Sequence, residues 1–157
     1  MDLSDAYFEA LEPHWDRISI YDGPETFLRQ FADAPRFVQT IFAAHVCQAE
    51  VCNGGFHQFF NNSSGVLAPE AVEAFRSLGM PQVAEVVATA MALLGDEFPR
   101  DREKRLLKLS QLASSGTAEQ EPFDAEEREF YRLIETEAGG FDRSADQLAL
   151  SHRVALQ

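Results

Sequence analysis

The chain reads as all-α, and three observations predict it. Apolar residues recur at helical spacing in nearly every segment, Pro and Gly fall between those segments, and no stretch keeps a strand's alternation against that pattern. At 157 residues, residues 1–157 suit one helical domain. The expectation is a compact single-domain multi-helix bundle of about seven or eight helices, with a flexible loop near 114–122.

Each element has its own warrant. "SDAYFEALE" follows a Ser suited to capping and sets Leu3, Tyr7 and Leu11 on one face, extended to Trp15 if Pro13 does not end the helix. In "DGPETFLRQF", Asp22 and Glu25 have capping-box spacing ahead of Phe27, Leu28 and Phe31. "PRFVQTIFAAHVCQAEVC" is the longest helical candidate, with Val38, Ile41, Phe42, His45, Ala49 and Cys52 as its expected stripe. "PEAVEAFRSLG" and "PQVAEVVATAMALLG" each open on Pro and close on Gly, and read together as a helical hairpin. "RDREKRLLKLSQLA" is helical and base-rich, and "SSGTAEQEP" is the exposed loop. "DAEEREFYRLIETE" opens on an expected capping box from Asp124 to Glu127 and stops at Gly139 and Gly140, leaving "SADQLALSHRVAL" as the last helix.

Bulk composition narrows the function. Hydrophobic residues form 45% of the chain, which argues against disorder. No apolar run approaches the ~18 residues of a membrane span, and "MDLSDAYFEALEPHWD" lacks the basic and apolar regions of a signal peptide, so a cytoplasmic location is expected. Acidic residues number 26 against 13 basic ones, a net charge of −13. Phosphates are repelled at long range, which disfavours direct nucleic-acid binding and favours a basic partner. Residues 1–35 hold eight acids and two bases and residues 124–157 hold eight and four, whereas 36–82 hold three and two. The charge is concentrated at the ends.

Catalytic and metal chemistry find little support. Cys47 and Cys52 lie about 140° apart around a helix and ~7.5 Å apart along it, so they do not bridge easily, and no other Cys supplies a thiolate zinc site. His45 and Cys52 share a face but stand ~10.5 Å apart along the axis, too far for one zinc. His45 reads as a buried core histidine. Ser63-Ser64-Gly65 lacks the strand-turn-helix setting of a nucleophile elbow, and the double glycine has neither a preceding strand nor the Lys of a phosphate loop. The expectation is a non-enzymatic protein with no cofactor and no metal.

One stretch departs from this grammar. "EVCNGGFHQFFNNSSG", Glu50 to Gly65, gathers three glycines, two of them adjacent, three asparagines and three phenylalanines. Glu50 and Asn53 are i, i+3 neighbours, Asn53 and Gly54 suit a helix C-terminus, and Gly55 permits a second sharp bend. Phe56, Phe59 and Phe60 can then plug the core. Gln58 with Asn61 or Asn62 is expected to bond carbonyls freed at the helix end, and Glu50 to accept amide protons from the same turn. This chemistry favours a structural joint. The alternative is a small-molecule or peptide pocket, or an unrecognised enzyme site, built on Glu50, Asn53, Gln58 and the neighbouring Phe residues.

On Asn53-Gly54-Gly55-Phe56, Gln58 and Asn61 to Gly65, preceded by Glu50 and followed by "AFRSLGM", the chain resembles a bacterial family of unknown biochemical activity. It is the domain of unknown function 4375 family, described as DNA mimic protein 19-like. The resemblance implies a helical, dimeric domain whose acidic side chains imitate DNA phosphates and occupy the DNA-binding surface of a basic regulator. Asp2, Asp5, Glu9, Glu12 and Asp16 fit such a role, since their 3, 4, 3, 4 spacing stacks five carboxylates opposite Leu3, Tyr7, Leu11 and Trp15; the alternative is the solvated face of an amphipathic helix, acidic for solubility alone. An i to i+4 step rises about 6 Å, comparable with two ~3.4 Å nucleotide steps. Pro13 threatens the stripe before Asp16. A second cluster, Asp124, Glu126, Glu127 and Glu129, is partly neutralised by Arg128 and Arg132.

Overall fold

The computed structural model describes residues 5–116 and 121–157. Among them are eight α-helices and no strand. Helix α1 runs Ala6–Trp15, α2 Pro24–Asp33, α3 Arg36–Asn61, α4 Ala68–Ser77, α5 Pro81–Ala92, α6 Arg102–Ser115, α7 Asp124–Thr136 and α8 Phe141–Ala155. A 3₁₀ turn, Ser63–Leu67, links α3 to α4.

Helix α3 is the axis of the molecule, packing against α1, α4, α6, α7 and α8. Its buried residues include Val38, Ile41, Phe42, Ala44, Cys47 and Val51. Ala49 and Cys52, placed on the buried stripe by spacing, are exposed instead, because the axis is covered from several sides and its buried face rotates along its length. The core is one contiguous cluster to which every helix contributes, from Tyr7 and Leu11 of α1 to Leu109 of α6 and Phe141 and Ala145 of α8.

Punctuation by Pro and Gly operates at α4 and α5. Each has Pro in its first turn, and after α4 Gly79 takes φ +75° while the Met80 amide donates to the Phe75 carbonyl at 2.8 Å, closing the helix end. At two other ends the local reading fails. Helix α2 is entered through Gly23, and no Asp22 side chain caps it. Helix α7 has Phe123 at its N-cap position, which places Asp124 inside the helix and leaves the expected Asp124–Glu127 box unmade.

Carboxylates from distant helices take over the capping role. Asp146 of α8 accepts from the Tyr7 amide at 3.0 Å, and Glu137 accepts from the Gln82 and Val83 amides at 2.8 Å each. They satisfy the orphan donors of α1 and α5 and meet the positive end of each helix dipole. Ser114 and Ser115, expected in a loop, belong to α6; Thr117 to Gln120 of that loop lie outside the described residues. Helix α1 continues through Pro13 to Trp15. Among the described residues no helix is long and apolar enough to cross a membrane.

Candidate functional site: a broken central helix, an acidic face and a cleft

Helix α3 is interrupted at its double glycine. Gly54 has φ −153° and ψ 21°, and Gly55 has φ +76° and ψ −178°, so the helix stops after Asn53 and restarts at Phe56. Only glycine adopts the Gly55 conformation readily. A Cβ there would also collide with the Glu127 carboxylate.

The backbone groups freed by this break are satisfied from α7, and those at the far end of α3 from α6. The Tyr131 hydroxyl donates to the Val51 carbonyl at 3.1 Å, and Glu127 Oε1 accepts from the Phe56 amide at 3.0 Å. Burial pushes the Glu127 carboxyl above its ordinary value, more strongly than the Phe56 amide pulls it down. At the far end of α3, Arg105 of α6 is fully buried and donates to the carbonyls of Phe60 at 2.9 Å, Asn62 at 3.0 Å and Arg100 at 2.6 Å. Burial lowers its pKa to about 10, which leaves the guanidinium charged at neutral pH. Arg102 donates to the Asn61 carbonyl at 2.8 Å.

The motif's own polar side chains therefore have a different task from the one their residue types suggested. Gln58 Nε2 and Asn62 Nδ2 donate to Glu50 Oε2 at 2.7 and 2.9 Å, and the Ser64 hydroxyl donates to Glu50 Oε1 at 3.2 Å. Asn53 Nδ2 donates to Gln58 Oε1 at 3.1 Å. Glu50 thus accepts three side-chain donors rather than the amides of the turn, and Gln58 and Asn62 bond Glu50 rather than orphan carbonyls. Phe56, Phe59 and Phe60 are completely buried, and Phe56 meets Phe130 edge-on at 5.6 Å. Gly65 is buried where a Cβ would press on the Phe59 carbonyl at 2.5 Å, so the chain after Asn61 passes directly over the helix end.

Glu50 and Ser64 also line a cleft of about 460 Å³ between α3 and the segment joining α1 to α2. Trp15, Phe42 and His45 form one wall, with ring centroids 5.3 Å apart for Trp15–Phe42 and 5.6 Å for Trp15–His45. Asn53 is exposed, and neither it nor Gln58 lines this cleft. His45, read from spacing as a core residue, is only half-buried here, and burial pushes its imidazole below the ordinary value.

The acidic stripe lies on the exposed side of α1. Asp5, Glu9, Glu12 and Asp16 are exposed, while Tyr7 and Leu11 on the opposite side are buried; Asp2 lies outside the described residues. Glu9 is bridged to Arg153 of α8 at 2.8 Å. Asp142 and Asp146, which spacing could not connect with α1, come from α8 to Tyr7: the Tyr7 hydroxyl donates to Asp142 at 3.5 Å and its amide to Asp146. Burial, reinforced by Asp142 and Asp5, raises the Asp146 carboxyl above its usual range. In the second cluster Glu127 is committed to the α3 break, and Glu129 to Arg132 at 2.7 Å.

These features define an all-helical acidic protein organised on a central helix that a Gly-Gly pair breaks and distant side chains repair. The chain belongs to the family described as DMP19-like protein, which matches residues 32–150, more than half of its length. No curated protein and no solved structure matches it. The match contains the whole of α3 and its motif; the acidic face of α1 precedes it.

Proposed function

We propose that the protein is a non-enzymatic interaction protein that occupies the DNA-binding surface of a basic regulator by presenting DNA-like charge. The observation that carries the reading is the exposed row Asp5, Glu9, Glu12 and Asp16 along α1 and its two capping residues, uninterrupted by Pro13. The name of the DMP19-like family, which refers to a DNA mimic, supports it. Successive carboxylates three and four residues apart rise about 4.5 to 6 Å along one face, a spacing that suits Lys and Arg side chains arranged to grip phosphates. Of the four, Glu9 already has Arg153 as partner, so Asp5, Glu12 and Asp16 carry the interaction. Such a complex is steered by opposite charge and weakens with salt.

The test is a pull-down from the native host with mass spectrometry, using the wild type and a variant with Asp5→Asn, Glu12→Gln and Asp16→Asn. The wild type is expected to recover a basic DNA-binding protein that is released by duplex DNA and by about 0.5 M salt. The variant should retain its helicity and lose the capture. Recovery that survives both duplex DNA and the triple substitution would contradict mimicry, as would no recovery of any basic protein.

A further inference from the structure

The cleft beside α3 has the chemistry of a receptor for a small cation, and it makes no use of the outward row on α1 apart from Asp16 at its rim. Its volume of about 460 Å³ lies within the range of small-ligand sites, roughly 300 to 1,000 Å³. Among the described residues two carboxylates line it, Glu50 and Asp16, and neither Lys nor Arg does. Glu50 is held by Gln58, Asn62 and Ser64, all neutral donors. Its orientation is therefore fixed in advance while its charge stays uncompensated. Beside it the Trp15, Phe42 and His45 rings make an aromatic wall. His45 adds no competing positive charge at neutral pH, because burial holds its imidazole below the usual value.

A carboxylate set beside aromatic faces and apolar side chains selects a positive head on an apolar or flat body. We propose that this cleft binds a small organic cation, an ammonium or amidinium group carried on an aromatic or aliphatic body, with Glu50 receiving the charge and Trp15 flanking the body. No bond is made or broken. The Asn-Gly-Gly-Phe motif then has a second consequence, since the break that places Gln58 and Asn62 also fixes Glu50 at the cleft.

Trp15 is the single Trp of the chain, so intrinsic fluorescence reports on the cleft directly. Phenethylamine and benzamidine serve as cationic probes and 2-phenylethanol as the neutral control. At least one cationic probe is expected to give a saturable change and to bind at least about tenfold more tightly than the alcohol. Glu50→Gln should erase that preference. Ala49→Phe, at an exposed position on the cleft lining, leaves the Glu50 hydrogen bonds in place and should block all probes; it decides the matter if Glu50→Gln disturbs folding. The proposal fails if neither cation gives a saturable response, if the alcohol binds equally well, or if Ala49→Phe binds the cations as the wild type does.

Discussion

Arg105 shows how much one side chain can close. Its guanidinium is planar and presents five donors in a fixed fork, and here the fork donates to carbonyls, those of Phe60, Asn62 and Arg100 among them, and to no carboxylate among the described residues. Lysine has a single nitrogen and cannot reach carbonyls spread over that arc. Arg105→Lys is therefore expected to leave buried acceptors unpaired and to lower stability by about 1–3 kcal/mol, read as a shift of the urea midpoint. A loss under about 0.5 kcal/mol would mean that water or rearrangement satisfies those carbonyls.

Glu127 gives a prediction in pH. Its folded-state pKa is raised, so the native protein holds this proton more tightly than the unfolded chain does. The contribution to stability is fully present below the unfolded pKa and is lost as pH rises through the folded one. Glu127→Gln keeps an acceptor for the Phe56 amide and removes the titration. The stability of the wild type relative to Glu127→Gln should therefore be most favourable near pH ~4 and should decline toward pH ~7. A difference that stays flat, or that grows in the wild type's favour with pH, would show that the carboxyl is not raised.

Among the elements, α3 is the one whose integrity depends on its neighbours. Gly55 carries a conformation that costs other residues about 1–3 kcal/mol from the backbone alone, and an added Cβ would also displace Glu127 from the Phe56 amide. Gly79 has a similar φ of +75° but nothing within 4 Å of an added Cβ. Gly55→Ala should therefore lower the melting temperature clearly more than Gly79→Ala does. Equal losses would mean that the Glu127 contact adds nothing beyond backbone strain. These two glycines also show what was legible. Gly79 ends a helix by a contact five residues long, and the Pro-to-Gly grammar reveals it directly. The break at Gly54 and Gly55 was legible as a stop, but the groups that repair it lie 71 and 80 residues away, beyond any local pattern.

Across the whole molecule the same distinction holds. Periodicity exposed all eight helices because burial of an apolar face is a property of each segment by itself. Capping was misjudged because Asp22–Glu25 and Asp124–Glu127 satisfy a spacing rule, whereas the amides of α1, α5 and the second part of α3 are met by Asp146, Glu137 and Glu127 through tertiary structure. Part of the acidity at the C-terminal end is thus internal fastening, and only the remainder is surface charge. The cleft was illegible for a related reason, since its aromatic wall joins Trp15 to residues of α3 that no spacing rule links.

The distant repair of α3 also sets an order of events during synthesis. A nascent chain that has emerged only through α5 contains the Gly-Gly break and the aromatic residues beyond it, but lacks Arg105, Glu127, Tyr131 and Asp146. Its longest helix is then unfinished at two points, and the Tyr7 amide of its first helix lacks the Asp146 carboxylate that accepts from it. Completion waits for contacts of long sequence separation, which form late because loop closure must precede them. The central helix can first become whole only once α7 has been made.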